Sequence, residues 1–151
     1  MKPEALPAIH RHEVVILDSA IDANGHTNNV EYLRWMQAAA ISHANATGCT
    51  TATIAAGASW VVRSHHVEYL QPTFAGDRIV VLTWVSTFRK ASSLRKYLLV
   101  RAADRAVVAR GETSWVFVDA LTGRPATIPT EVSSAFVLLP GGAEPRDGTA
   151  A

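Results

Sequence analysis

Five segments rich in β-branched and aromatic residues predict strands along the chain. They cover residues 11–18, 58–70, 77–88, 92–103 and 106–119. The last four are longer than an ordinary strand and follow one another directly. Pro72 with Gly76 and Asp77, then Arg89 to Ser93, and then Ala103 to Arg105 have the composition of turns. This order predicts an antiparallel sheet.

Residues 29–46 predict one long helix between the first two strands. Its polar positions fall on a narrow stripe at helical period, formed by Glu31, Arg34, Ser42 and Asn45. Valine, leucine, isoleucine, aromatic residues and many alanines cover the rest of the circumference, so we expect the helix to be buried on most sides. Gly48 is placed to end it.

These elements predict an α+β domain in which a curved antiparallel sheet wraps around one long central helix. We expect this domain to span residues 1–139, with a short closing turn of helix between 129 and 136. The proline- and glycine-rich residues 140–151 predict a disordered C-terminal tail. A single curved sheet has exposed edges, so a homodimer or homotetramer is expected.

Composition narrows the possible functions. Of 151 residues, 48% are apolar and 18% are charged, a low charged fraction that suggests surface buried in an oligomer. A net charge of +1 gives no general case for nucleic-acid or membrane binding. The single Cys49 allows no intramolecular disulfide. With no signal peptide or spanning apolar run in this sequence, a cytoplasmic location is expected.

The segment between the first strand and the helix carries the candidate chemistry. A carboxylate, an amide and an imidazole alternate there as Asp22, Asn24 and His26, and Gly25 lets the loop fold tightly. Such a set supplies a general base and the groups that orient it. We expect these three residues to be catalytic.

Two further amides, Asn28 and Asn29, lie where the helix begins. Either could simply cap the helix, because asparagine favours that position for local hydrogen-bonding reasons. The start of a helix also presents unpaired backbone N–H groups and a positive dipole end. Together with Asp22, this geometry suits attack on a carbonyl or thioester whose oxygen becomes negative.

Two families of acyl-thioester hydrolases with the hotdog fold resemble this chain over about residues 11–130. The stretch from Asp22 to Tyr32 resembles the D-x-N-x-H-x-N-N-x-x-Y signature of plant-type acyl-ACP thioesterases. The longer stretch 22–39 is similar to 4-hydroxybenzoyl-CoA thioesterases, and segments 67–77 and 115–119 are similar to later strands of the family. The resemblance implies hydrolysis of acyl-CoA or acyl-ACP, with no metal or other cofactor.

The resemblance implies a role for each motif residue that matches a functional position of these families. Asp22 matches the aspartate that acts as general base or nucleophile, and Asn24 and His26 match the amide and imidazole beside it. Asn29 matches the position whose backbone N–H polarises the carbonyl in the benzoyl-CoA enzymes. The acyl-ACP enzymes carry a Glu-Cys pair where this chain has Pro72 and Thr73. Cysteine catalysis therefore has no support.

Further residues are candidates for substrate binding. Gly25, Asn28, Asn29 and Tyr32 belong to the motif, and Tyr32 is expected in the pocket wall. Arg89, Lys90 and Ser92 form either a solvated hairpin connection or a cradle for the phosphates of coenzyme A. The resemblance favours the cradle. His66 is expected to line the cleft near the Asp22 of a second copy.

Three alternatives remain at this stage. A metal site at the neighbouring His65 and His66 is disfavoured, because successive strand residues face opposite sides. A hotdog hydratase or dehydratase would carry its histidine five positions after the aspartate, with a proline between, whereas His26 follows Asp22 by four with Gly25 between. A non-catalytic acyl-CoA-binding domain would not require Asp22.

Overall fold

The computed structural model describes residues 7–151. Five strands and three α-helices make up the fold, with short 3-10 turns between some of them. In chain order they are β1 (His10–Val15), α1 (Asn29–Thr47), α2 (Cys49–Ala55), β2 (Ala58–Tyr69), β3 (Arg78–Phe88), β4 (Ser92–Arg101), β5 (Val107–Asp119) and α3 (Thr130–Ser133).

The strands form one antiparallel sheet in the order β1-β3-β4-β5-β2. Strands β3, β4 and β5 are consecutive hairpins, whereas β1 pairs with β3 and β2 pairs with β5 across long stretches of sequence. Both β1 and β2 are edge strands. The predicted α+β fold, a curved antiparallel sheet with one long helix, is confirmed.

The main core lies between α1 and the inner face of the sheet. Buried residues of the helix pack on alternate residues of the strands, and the set comprises Tyr32, Trp35, Met36, Ala39, Ala40, Ile79, Val81, Tyr97, Leu99 and Ala109. At Gly111 of β5 an added Cβ would lie 2.7 Å from Met36 Cε. The absence of a Cβ at Gly111 leaves room for the end of the Met36 side chain between the helix and the sheet.

The outer face of the sheet is apolar as well. Val80, Leu82, Trp84, Leu98 and Val100 form its buried cluster, and Ile9, Leu139 and Ala151 pack against it. The sequence predicts disorder for residues 140–151, whereas the structure has this segment against the outer face, with Glu144 3.0 Å from Lys96 Nζ. Apolar residues that alternate onto both faces of a sheet require a cover on both sides.

One side of α1 is uncovered in the single chain, although its sequence predicts burial on most sides. Val30 and Ile41 of α1 are 53% and 51% exposed. On the neighbouring edge strand β2, Val61 and Val62 are also exposed. The apolar residues that the sequence pattern assigns to burial therefore include a surface that residues 7–151 leave exposed.

The sequence pattern predicts the end of α1 but not the helix that follows. Gly48 ends α1 in the left-handed conformation, with φ of 86°. The next segment, Cys49–Ala55, forms α2 although it contains three threonines, which have low helix propensity. Its buried Cys49 and Thr53 pack beside Trp60 and Phe117, and this tertiary packing outweighs the weak propensity.

Candidate functional site

A tight loop joins the end of the first 3-10 turn to the start of α1. The Asp22 N–H donates to the His26 carbonyl at 2.9 Å, and the Gly25 N–H donates to the Asp22 carbonyl at 3.0 Å. Gly25 has a φ of +81°, which a residue with a Cβ adopts only with strain. The predicted role of Gly25 in folding the loop thus has a direct conformational cause.

The Asp22 side chain is half-buried in this loop and accepts a hydrogen bond from the Asn24 backbone N–H at 2.9 Å. Asn24 and His26 have exposed side chains, and the His26 ring packs edge-on against Phe74 at 5.6 Å. Within residues 7–151, neither side chain hydrogen-bonds the Asp22 carboxylate. Their predicted part in orienting Asp22 stays a prediction.

The start of α1 is held directly beside this loop. Ile21 pairs with Thr27, and the Asn28 N–H donates to the Ala20 carbonyl at 2.8 Å. Asn28 is the N-cap residue, because its Oδ1 accepts from the Val30 N–H at 3.0 Å. The N–H of Asn29 has no hydrogen-bond partner in the described part of the chain. A free donor at the positive end of a long helix can bind a developing negative charge.

A buried chain of hydroxyl groups fixes the loop from below. The Thr27 N–H and Oγ1 both donate to the Thr73 carbonyl, at 2.9 and 3.0 Å. Thr73 Oγ1 bonds Thr27 Oγ1 at 2.8 Å and the Tyr32 hydroxyl at 2.9 Å. Burial raises the pKa of Tyr32, and the hydrogen bond from Thr73 acts in the opposite direction. The phenol therefore stays neutral and acts as a hydrogen-bonding anchor.

Thr27 and Thr73 are not among the site residues that the sequence motif predicts. Thr73 stands where the acyl-ACP enzymes have their Glu-Cys pair, and only the departure from that pattern pointed to it. The bond links residues 46 apart, so no local pattern reveals it. Tyr32 was predicted to bind substrate, and the structure directs its hydroxyl to Thr73.

The predicted phosphate cradle lies far from Asp22 within one chain. Arg89 and Lys90 are exposed and Ser92 is half-buried, and the Arg89 N–H donates to the Ser92 carbonyl at 2.8 Å. This connection directly follows Phe88, the last residue of β3. The Asp22 loop lies at the other end of the strand, where His26 contacts Phe74 shortly before β3 begins at Arg78. A strand of 11 residues separates the two ends by roughly 33 Å.

His65 and His66 face opposite sides of β2. His65 Nδ1 lies 2.8 Å from Thr113 Oγ1, and burial lowers the pKa of His65. His66 lies opposite Glu112 and 3.7 Å from Glu68, among residues of the outer face. The single chain does not bring His66 to the Asp22 loop. No group of three or more potential metal ligands lies within residues 7–151.

None of the helices between residues 7 and 151 is long and apolar enough to cross a bilayer.

The family model of the thioesterase-like superfamily matches residues 16–136. A curated relative, the L-carnitine dehydrogenase/betainyl-CoA thioesterase of Ruegeria pomeroyi, is 26% identical over 148 residues. That match includes 92% of this chain but 30% of the relative, so the chain spans less than a third of that protein's length.

Solved structures share the fold. A 1,4-dihydroxy-2-naphthoyl-CoA thioesterase from Synechocystis has a TM-score of 0.75 at 17% identity, covering 84% of this chain and 94% of its own. The 12:0-ACP thioesterase from Umbellularia californica has a TM-score of 0.77 at 23% identity, covering 86% of this chain and 51% of its own.

Proposed function

Because the chain belongs to the thioesterase-like superfamily, we propose that it hydrolyses an acyl thioester, acyl-CoA or acyl-ACP, to a free carboxylic acid and a thiol. One observation carries the proposal: the half-buried Asp22 carboxylate lies in a tight loop that is bonded to the start of α1, where the Asn29 N–H has no partner among the described residues. Hydrolysis of a thioester needs a group that activates or delivers the nucleophile and a donor that stabilises the oxyanion. The carboxylate and the open helix N-terminus supply these two parts.

In the proposed reaction the thioester carbonyl oxygen accepts a hydrogen bond from the Asn29 N–H. The positive end of the α1 dipole stabilises the negative charge on that oxygen as the tetrahedral intermediate forms. Asn28 is already engaged, because its N–H bonds Ala20 and its side chain caps Val30. We therefore assign the oxyanion to Asn29 and the shaping of the helix start to Asn28.

Asp22 acts on the carbonyl carbon in one of two ways. As a general base it takes a proton from water while the water oxygen attacks, and the C–S bond then breaks to release the thiolate. As a nucleophile it forms an acyl anhydride that water hydrolyses in a second step. The exposed His26 can donate a proton to the departing sulfur in either route, and Asn24 can hold the water.

A second copy of the chain completes the proposed active unit. The uncovered side of α1 and the exposed edge strand β2 leave apolar residues in contact with water. Arg89 and Lys90 lie roughly a full strand length from the Asp22 of their own chain. A homodimer would bring the basic connection, and one of the β2 histidines, to the Asp22 of the other copy.

Acyl-CoA is the first substrate choice and acyl-ACP the second, because the exposed Arg89 and Lys90 suit the phosphates of coenzyme A. Cys49 is buried and unpaired, which fits the reducing cytoplasm where we expect the protein to act.

Thiol release from a panel of thioesters tests the proposal. The panel contains aliphatic, aromatic and betainyl acyl-CoAs and one acyl-ACP, and enoyl-CoA hydration is followed in parallel. Multiple-turnover thiol release with at least one member is expected. Hydration without thiol release would replace the proposal by a hydratase, and binding without either reaction would replace it by an acyl-CoA-binding domain.

A further inference from the structure

A cavity of about 300 Å³ lies between the second half of α1, α2 and the sheet. Its walls are largely aromatic and aliphatic, formed by Trp60, Trp115, Phe88, Phe136, Ile41 and Val85. Gln37, at its near end, follows Asn29 by eight residues, which is about 12 Å along the helix. His43, whose Nδ1 lies 2.9 Å from Arg95 Nη1, follows Asn29 by 14 residues, which is about 21 Å along the helix. An acyl chain that reaches Arg95 from the proposed oxyanion site is therefore a long one.

A buried arginine lies in the lining of this apolar cavity. Arg95 of β4 is 4% exposed. One nitrogen of its guanidinium, Nη1, donates to His43 Nδ1 at 2.9 Å and to Thr83 Oγ1 at 3.0 Å. Within residues 7–151, both side-chain hydrogen bonds of Arg95 come from Nη1, so Nε and Nη2 have no partner there, and no carboxylate forms an ion pair with Arg95.

The neighbours of Arg95 do not neutralise its charge. Burial, followed by the charges of Arg95 and His10, lowers the pKa of His43 to about 3, so His43 is a neutral acceptor. The Phe136 ring lies 5.2 Å from the guanidinium carbon and offers only a cation–π contact. A buried cation without a counter-charge is unfavourable, and a ligand that supplies a negative charge removes the penalty.

We propose that this cavity binds an acyl group carrying a second carboxylate at the end remote from the thioester. This substrate class rests on the hydrolase function proposed above. The planar N–H edge of a guanidinium matches a carboxylate in two parallel hydrogen bonds. An apolar cavity of about 150 Å³ holds the six carbons of benzene, so this one, with about 300 Å³, has room for roughly 12 carbons at the distal end of a longer chain. The aromatic walls contact the carbon chain, while Arg95 repels a cationic acyl group.

Paired substrates of equal length test the proposal. For the wild-type protein, kcat/KM for hexadecanedioyl-CoA is expected to exceed that for palmitoyl-CoA at least tenfold. Arg95→Met should abolish this preference by lowering kcat/KM for hexadecanedioyl-CoA to the value for palmitoyl-CoA, and Arg95→Lys should keep part of the preference. Equal use of the two substrates by the wild type, or a preference for palmitoyl-CoA, would overturn the proposal even if Arg95→Met fails to fold.

A binding measurement separates this proposal from the function itself. Free suberate and its uncharged analogue suberamide are titrated into the wild-type protein by calorimetry, with tryptophan fluorescence as a second readout because Trp60 and Trp115 line the cavity. Suberate is expected to bind at least tenfold more tightly. If no thioester is hydrolysed but suberate still binds selectively, the function fails and the carboxylate site stands. If the two compounds bind equally, or neither binds, the proposed carboxylate site is wrong.

Discussion

The Tyr32 hydroxyl of α1 lies 2.9 Å from Thr73 Oγ1, in the segment between β2 and β3. Thr73 also bonds Thr27 directly below the Asp22 loop. All three residues are buried. The position of the proposed catalytic carboxylate thus depends on a hydroxyl pair that lies outside the sequence motif.

Thr73→Val keeps the shape of the side chain but removes both of its hydroxyl bonds. We expect a loss of about 1–3 kcal/mol in the free energy of unfolding, since buried partners are left unsatisfied. Turnover should fall as well, because the loop loses its support. Urea unfolding and thiol-release assays measure the two effects. In the double variant with Thr73→Val, Tyr32→Phe should lower the free energy of unfolding by less than it does alone, because the two residues share one hydrogen bond. Thr87→Val, at an exposed position, is the control and should change neither stability nor turnover.

Asp22→Asn is expected to reduce turnover at least ~100-fold, the usual scale of a general-base contribution. The amide cannot take a proton from water or attack the carbonyl efficiently. Circular dichroism should show an unchanged fold, because Asn can still accept the bond from the Asn24 N–H. Asp18→Asn, a nearby exposed carboxylate, serves as the control. Near-normal turnover by the Asp22 variant would remove this residue from the mechanism.

Arg89→Ala combined with Lys90→Ala is expected to raise KM for acyl-CoA with little change in kcat. Phosphate contacts are remote from the carbonyl and stabilise the ground state and the transition state equally. Steady-state kinetics at low salt gives both constants. The double variant Arg11→Ala and Arg146→Ala removes two exposed cations elsewhere and should leave KM unchanged. An unchanged KM in the first variant would place the cradle elsewhere, or make acyl-ACP the substrate.

Val61→Lys is expected to dissociate the proposed dimer into monomers and to lower the activity. A lysine on an edge strand opposes pairing with another strand, and Val61 is 45% exposed on β2. Sedimentation across a dilution series measures the association, and specific activity should fall with dilution. Leu121→Lys, at a position 97% exposed in a turn, is the matched control. A fully active wild-type monomer would refute the shared site.

His43 should make the fold sensitive to acid. Its pKa is about 3 in the folded protein and 6.5 in the ordinary state, so unfolding takes up a proton between these values. The stability that comes from the neutral imidazole is complete above pH 6.5 and falls by about 1.4 kcal/mol per pH unit below it. Urea unfolding between about pH 5 and 7 measures the slope. His43→Asn should flatten it, and His66→Gln at an exposed position should not.

The sequence predicts the elements that depend on local patterns. The alternation in β3 to β5, the left-handed glycine after α1 and the asparagine cap all follow from residues close together in the chain. The sequence does not predict α2, which forms because Thr53 and Cys49 pack on distant residues. The sequence also does not predict the buried hydrogen bond between Arg95 and His43. These residues are 52 positions apart, and the basic stretch around Arg95 suggests a solvated turn.

Strand order has a consequence for how the chain reaches its folded state. Strands β3, β4 and β5 are joined by short connections, so they can pair with little loss of chain entropy. Strand β1 must find β3 across the whole of α1, α2 and β2, and β2 must find β5 across the three-stranded unit. The Asp22 loop is bonded to Ala20 in the turn that follows β1 and, through Thr27, to Thr73 in the segment that follows β2. We therefore expect the proposed catalytic loop to acquire its shape only after both edge strands have docked, so that a partly folded chain carries no competent site.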